Sequence, residues 1–269
     1  MTVLEVLQTT TAYFKKREIE SPRLNAEHLL AHSLGRKRIE LYLDFERPLA
    51  ETELAPLREL VRRRGQGEPL QHLLGNVEFC GMTFLCDKRA LIPRPETEEL
   101  LELLKAELGD RKPKRILDVG TGSGVIALSL AAAFPDAEVY ASDVSEDALS
   151  LARENAAVLN LSERVRFIES DLFEHISERF DLIVANLPYV PETDRPNLSR
   201  EVLQEPSSAL FGGTNGEEVI RRLIVTAPPH LAPGGMLALE IGSARPTRSP
   251  RCSPNAITAT FPRDRIMPV

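Results

Sequence analysis

The chain has 269 residues, 42% of them hydrophobic and 27% charged, with a formal net charge of -7. That size suits one large domain or a medium domain with a small companion, and the acidic balance excludes a global basic field for holding a polyanion. Three cysteines, Cys80, Cys86 and Cys252, are too few for a disulfide scaffold, and no His or Cys pair stands at zinc spacing. The stretch from Met1 to Phe14 carries Glu5 and lacks the basic start and apolar run of a signal peptide. No segment approaches the ~20 apolar residues that span a bilayer. A cytoplasmic protein without a metal is expected.

Residues 1–75 read as a small helical domain. Leu4, Leu7 and Phe14 share one helical face, and Leu54, Leu57, Leu60 and Val61 recur at helical spacing. Pro22, Gly35, Pro48 and Gly65 punctuate these helices. Residues 76–95 form a connecting region. There Val77-Glu78-Phe79 and Thr83-Phe84-Leu85 flank Gly81 as a hairpin would, and Pro93-Arg94-Pro95 makes a stiff hinge.

Residues 96–242 change pattern. A helix through Leu100, Leu101, Leu104 and Leu108 precedes predicted strands at 115–119, 138–141, 165–168, 181–185 and 236–241. Helices near 123–133, 145–159 and 216–227 separate several of them, the first Ala-rich and amphipathic. Alternating strand and helix predicts an α/β fold with a mostly parallel sheet covered on both faces. The tail, 243–269, is rich in Arg, Pro, Ser and Ala, and no helix or strand is legible in it. Disorder is its simplest expectation.

Two short stretches carry chemistry. Asp118-Val119-Gly120-Thr121-Gly122-Ser123-Gly124 follows a predicted strand and opens a predicted helix. Glycines there let the backbone turn tightly and approach a ligand, while the helix start offers free N–H groups. Asp143 closes the next strand, where a carboxylate accepts from ribose hydroxyls. A dinucleotide site prefers Gly-x-Gly-x-x-Gly, whereas position 125 is Val. The shorter glycine run resembles the nucleoside-binding loop of S-adenosylmethionine-dependent methyltransferases. In that fold class Asp171, after the third strand, accepts from the adenine amino group, and Leu172 lines the ring pocket. Taken alone, an Asp after a strand is a turn residue.

The second stretch is Asn186-Leu187-Pro188-Tyr189, at the end of the strand Asp181-Leu182-Ile183-Val184-Ala185. It resembles the Asn-Pro-Pro-Tyr motif of amino-methyltransferases, with Leu187 in place of the first proline. An amide nitrogen is a poor nucleophile because its lone pair is delocalised into the carbonyl. The Asn186 side-chain oxygen and the Leu187 carbonyl are placed to accept one N–H each, and Tyr189 to pack on the planar group. Positioning of this kind is worth ~7–11 kcal/mol at best.

Further stretches extend the resemblance to a family, the release-factor glutamine methyltransferases (HemK/PrmC). They are Glu68-Pro69-Leu70-Gln71-His72-Leu73-Leu74-Gly75, Leu91-Ile92-Pro93-Arg94-Pro95-Glu96-Thr97-Glu98, and Glu205-Pro206 with Gly212-Gly213 and Gly216. The resemblance covers roughly residues 1–242 and implies a Rossmann-like methyltransferase domain behind a small helical substrate-recognition domain. It implies S-adenosyl-L-methionine as cofactor, held by Gly120, Thr121, Gly122, Ser123, Gly124, Asp143, Asp171, Leu172 and Asn186. It implies as partner a class 1 peptide chain release factor, whose Gly-Gly-Gln glutamine meets Asn186, Leu187, Pro188 and Tyr189. A monomer with no direct nucleic-acid contact is expected. Past Gly242 the family continues with a helix and two closing strands that this sequence does not show.

Three other readings stay open on sequence alone. A nucleic-acid amino-methyltransferase uses the same loop for adenine or guanine, although it wants a basic surface and a base-flipping pocket. A catalytically impaired cofactor-binding protein and a nicotinamide-dependent dehydrogenase are the others.

Overall fold

The computed structural model describes residues 1–242 and 255–260. Contacts divide the chain into two compact units, one of Met1–Asn76 with Ser199–Gln204, the other of Val77–Leu198 and the chain from Glu205 onward.

The first unit is built from helices α1 (Val3–Lys16), α2 (Pro22–Ser33), α3 (Arg38–Leu41), α4 (Glu51–Gly65) and α5 (Leu70–Leu74). Thr2 starts α1 with a capping box: its hydroxyl accepts from Glu5 N at 3.3 Å while Glu5 accepts from Thr2 N at 2.9 Å. The core-facing stripe of α1 is Val3, Val6, Leu7, Thr10 and Phe14. Leu4, expected on it, lies at its flank because position 3 shares the i, i+4, i+7 row with Leu7 and Thr10. Buried Arg64 gathers this unit's polar interior, donating to Asn25 Oδ1 at 2.7 Å, to the Glu68 carbonyl at 2.9 Å and to Glu201 at 2.7 Å.

The second unit opens with the hairpin β1 (Asn76–Phe79) and β2 (Met82–Leu85). Its two turn residues, Cys80 and Gly81, both have positive φ, the geometry that matches the twist of tight hairpins. Next come α6 (Pro95–Leu108), β3 (Arg115–Val119), α7 (Val125–Ala133), β4 (Glu138–Asp143), α8 (Glu146–Val158), β5 (Val165–Glu169) and β6 (Phe180–Asn186). After them follow α9 (Ser207–Leu210), α10 (Glu218–Thr226), β7 (Leu231–Ile241) and β8 (Asn255–Thr260). Pro95 serves as the first residue of α6, where its missing N–H costs nothing.

Among the described residues the strands form a sheet of order β5-β4-β3-β6-β7-β8, parallel except for β8. Successive side chains point to opposite faces, so Ile116, Leu182 and Val184 join one core with α6 and α7 while Leu117, Ile183 and Ala185 join the other with α10. Helix α7 departs from its expected amphipathic character. Val125 through Ala131 are all buried, as suits a helix enclosed on every side.

The expectation of an unstructured tail fails at β8, which pairs antiparallel with Met236–Ile241. The run Ala256-Ile257-Thr258-Ala259-Thr260 is rich in β-branched residues, and the flanking prolines and arginines obscure that local signal. An open edge on β7 offers a row of unpaired backbone groups for it to satisfy. Positions 243–254 and 261–269 lie outside the described residues.

Two stability predictions follow from this architecture. Asn155 on α8 is fully buried, accepts from Leu85 N at 2.6 Å and donates to the carbonyls of Leu85 (3.2 Å) and Ser123 (2.9 Å). Asn155→Leu strips partners from three backbone groups and should cost about 3 kcal/mol, lowering the melting temperature by roughly 6–12 °C. An unchanged melt would show that these bonds contribute nothing net. Truncation after Gly242 uncovers the β7 edge, so light scattering should detect more self-association than in the full chain.

Candidate functional site

The strand order places a crossover at the centre of the sheet. From β3 the chain proceeds to β4 on one side, and from β5 it returns to β6 on the other. Val119 and Ala185 are register partners in the two central strands, so both turns leave from the same carboxyl edge. Ligands of open α/β sheets settle in that crevice.

The turn after β3 is held from below. Gly120 N and Thr121 N both donate to the Ser142 carbonyl, at 2.8 and 2.9 Å, which anchors the loop to β4. Gly120 has φ +72°, and a Cβ there would lie 2.6 Å from Leu187 Cδ2. Only glycine lets the two turns come this close.

A cavity of about 320 Å³ occupies the crevice. Of the residues singled out in the sequence, it is lined by Gly120, Thr121, Gly122, Ser123, Asp143, Asp171, Leu172, Asn186, Leu187 and Pro188. Gly124 and Tyr189 stand outside it. Gly124 caps α7 at φ +84° and faces Ala152 of α8. Tyr189 packs its ring on the chain at Gly242, where a Cβ would sit 2.8 Å from Cδ2. Backbone bonds from Val190 N to Leu210 O (3.0 Å) and from Gly212 N to Val190 O (3.1 Å) fix the chain after it.

Three acids crowd this edge, and burial dominates each. Asp118 is fully buried, accepts from the Thr121 hydroxyl (2.6 Å) and Ala127 N (3.1 Å), and leaves Oδ1 without a partner. Burial pushes its carboxyl up to about 7 against the pull of those two bonds. Burial also raises Asp143, whose carboxylate accepts from Gly122 N at 2.8 Å and Ser145 N at 2.9 Å. Glu240 on β7, the register partner of Asn186, is likewise raised by burial. Asp171 differs: it is partly exposed and paired with Arg222 of α10 at 2.8 Å.

Several residues of the site escape a local reading of the sequence. Glu205 is buried and accepts from Ile92 N (2.8 Å) and Arg94 Nη2 (2.5 Å), tying the segment before α6 to the loop before α9. Asn186 Nδ2 donates to Thr97 Oγ1 at 3.0 Å, and that hydroxyl donates to Glu240 Oε2 at 2.7 Å. Thr97 was visible only as a member of a longer characteristic stretch, and Glu240 only as a position in a predicted strand. Among the described residues no cluster suited to a metal occurs, and no helix is long and apolar enough to cross a membrane.

Comparison with known proteins agrees with this geometry. A family model described as the PrmC N-terminal domain matches residues 5–75, and one described as the methyltransferase small domain matches residues 95–217. Proteins named release factor glutamine methyltransferase are similar over most of the chain. The one from Chlorobaculum tepidum is 46% identical over 89% of this chain and 85% of its own length. That from Deinococcus radiodurans is 44% identical, over 90% and 86%. Among solved structures, the hMettl16 catalytic domain in complex with MAT2A 3'UTR hairpin 6 shares the fold alone, with a TM-score of 0.50 and 15% identity over 71% of this chain and 68% of that one. The parallel sheet, its central glycine turn and relatives of this similarity make the chain a Rossmann-like, S-adenosyl-L-methionine-dependent member of the release factor glutamine methyltransferase family.

Proposed function

We propose that the chain moves a methyl group from S-adenosyl-L-methionine to the side-chain amide nitrogen of the glutamine in the Gly-Gly-Gln loop of a class 1 release factor. One observation carries this reading: the glycine turn and the Asn186-Leu187-Pro188-Tyr189 turn touch at Gly120 and Leu187, on one cavity. A nucleoside-sized donor and a planar NH2 group then share one chamber.

The residues present suit such a donor. The turn from Gly120 to Ser123 allows close backbone approach, Asp143 supplies a carboxylate beside it, and Leu172 an apolar wall. When bound, the cofactor supplies a methyl group already activated by its sulfonium.

The protein's share is capture and alignment. Asn186 Oδ1 and the Leu187 carbonyl each accept one N–H of the glutamine amide, which fixes the nitrogen and enriches its electron density. Tyr189, Pro188 and buried Leu187 hold the loop so that the nitrogen lies in line with the methyl. The surplus proton leaves to solvent after transfer, so no dedicated base is required. The helical unit is the part we assign to gripping the release factor. A cytoplasmic monomer acting on protein, without nucleic-acid contact, is the form most consistent with the acidic balance of the chain.

Incubation with labelled S-adenosyl-L-methionine and purified release factor tests the target. Label should enter the wild-type factor and not its Gln→Ala variant in the Gly-Gly-Gln loop, and Asn186→Ala should lower kcat by about 100-fold. Equal label on both factors would overturn the target, and label on oligonucleotides but not on factor would favour a nucleic-acid enzyme. For the cofactor, Asp143→Ala should weaken binding about 10–100-fold by calorimetry. Undiminished affinity would remove Asp143 from the site.

A further inference from the structure

Asn186 can do its proposed work in only one of its two amide orientations. Its oxygen must face the substrate NH2, yet oxygen and nitrogen are nearly the same size, and packing alone does not choose between them. Something must supply the choice.

The neighbours of Asn186 do so. Asn186 and Glu240 are register partners on parallel strands, so their side chains leave the sheet on the same face. Thr97, in the first turn of α6, is buried against both. Its hydroxyl has one proton and gives it to Glu240 Oε2 at 2.7 Å. The Thr97 oxygen is left as an acceptor only, and the group it meets at 3.0 Å must donate. That group is Asn186 Nδ2. The amide nitrogen is thereby held toward Thr97, and Oδ1 is the end left for the cavity that Asn186 lines.

We propose that Thr97 and Glu240 are positioning residues for methyl transfer, a two-member chain that locks the Asn186 amide with its oxygen toward the substrate nitrogen. The proposal rests on the functional reading above and adds to it the reason the loop's first residue is correctly poised. Thr97 also lines the cavity and Glu240 does not, and in this scheme neither bonds the substrate amide. Their effect runs through the polarity of the hydrogen-bond chain: a carboxylate at its end sets the direction of every proton in it.

Kinetics of the full-length enzyme with release factor test this. Thr97→Val, which keeps shape and removes the hydroxyl, should lower kcat by about 10–100-fold while the cofactor Kd stays within about twofold. Thr97→Ser should restore kcat to near the wild-type value. Glu240→Gln should lower kcat like Thr97→Val, because its NH2 donates to Thr97 and turns the hydroxyl proton onto Asn186. In an Asn186→Ala background, Thr97→Val should cause no further loss. Wild-type kcat in both Thr97→Val and Glu240→Gln, or an equal additional loss in the Asn186→Ala background, would overturn the proposal. Undiminished transfer by Asn186→Ala itself would instead sink the functional reading, so the two failures are distinguishable.

Discussion

Everything at the site depends on the parallel pairing of β3 with β6. Chain connectivity forces the neighbours of this pair to opposite sides, so no crossover element covers the edge between the two strand ends. The backbone must turn twice within a few ångströms, once into α7 and once into the loop before α9. Two turns that crowded cannot both carry ordinary side chains. The solution is asymmetric: one side gives up its Cβ at Gly120 and the other fills the space with Leu187. Cavity, cofactor turn and substrate loop are consequences of that one packing decision.

The same edge collects the buried polar groups of the unit. Asp118, Glu205, Glu240 and Asn155 are each less than 5% exposed, and each is held by hydrogen bonds to backbone or side chain. Burying a carboxylate costs free energy unless partners replace its water. Here the partners are backbone N–H groups of Ile92 and Ala127 and the side chains of Arg94, Thr97 and Thr121, so each acid immobilises a segment that borders the cavity. Glu205 holds the stretch from Ile92 to Arg94, Asp118 the start of α7, and Glu240 the start of α6 through Thr97. A rigid frame built this way has its reorganisation done at folding, before substrate arrives.

Much of this was legible in the residues, because the informative signals were local. Short apolar runs marked β3 and β6, and the glycine spacing and Asn-x-Pro-Tyr order marked the two turns. What was missed lies in long-range contacts. Thr97 and Glu240 are 143 positions apart, and only the α6-on-sheet packing makes them one unit. Asp171 read as an acceptor for the adenine amino group, and its pairing with Arg222, 51 positions on, was not legible. The six residues Ser199–Gln204, which join the helical unit, carry no compositional mark, since a salt bridge from Arg64 to Glu201 holds part of them there. The strand β8 was hidden because strand formation at an open edge is decided by the edge more than by the incoming sequence.

Leu187 shows how packing substitutes for covalent restraint. A proline at this position fixes φ by its ring, whatever surrounds it. Leucine has no such restraint, and its backbone is held only if its side chain is. It is 6% exposed, within the core cluster that includes Val119, Phe173, Ile183 and Ala185, and its Cδ2 occupies the space where a residue other than glycine at 120 would place a methyl group. The restraint is therefore borrowed from the cofactor side of the crevice. In a chain with proline here the two turns are independently rigid. In this chain the shape of the substrate loop is tied to the shape of the glycine turn, and a change at either is felt at the other.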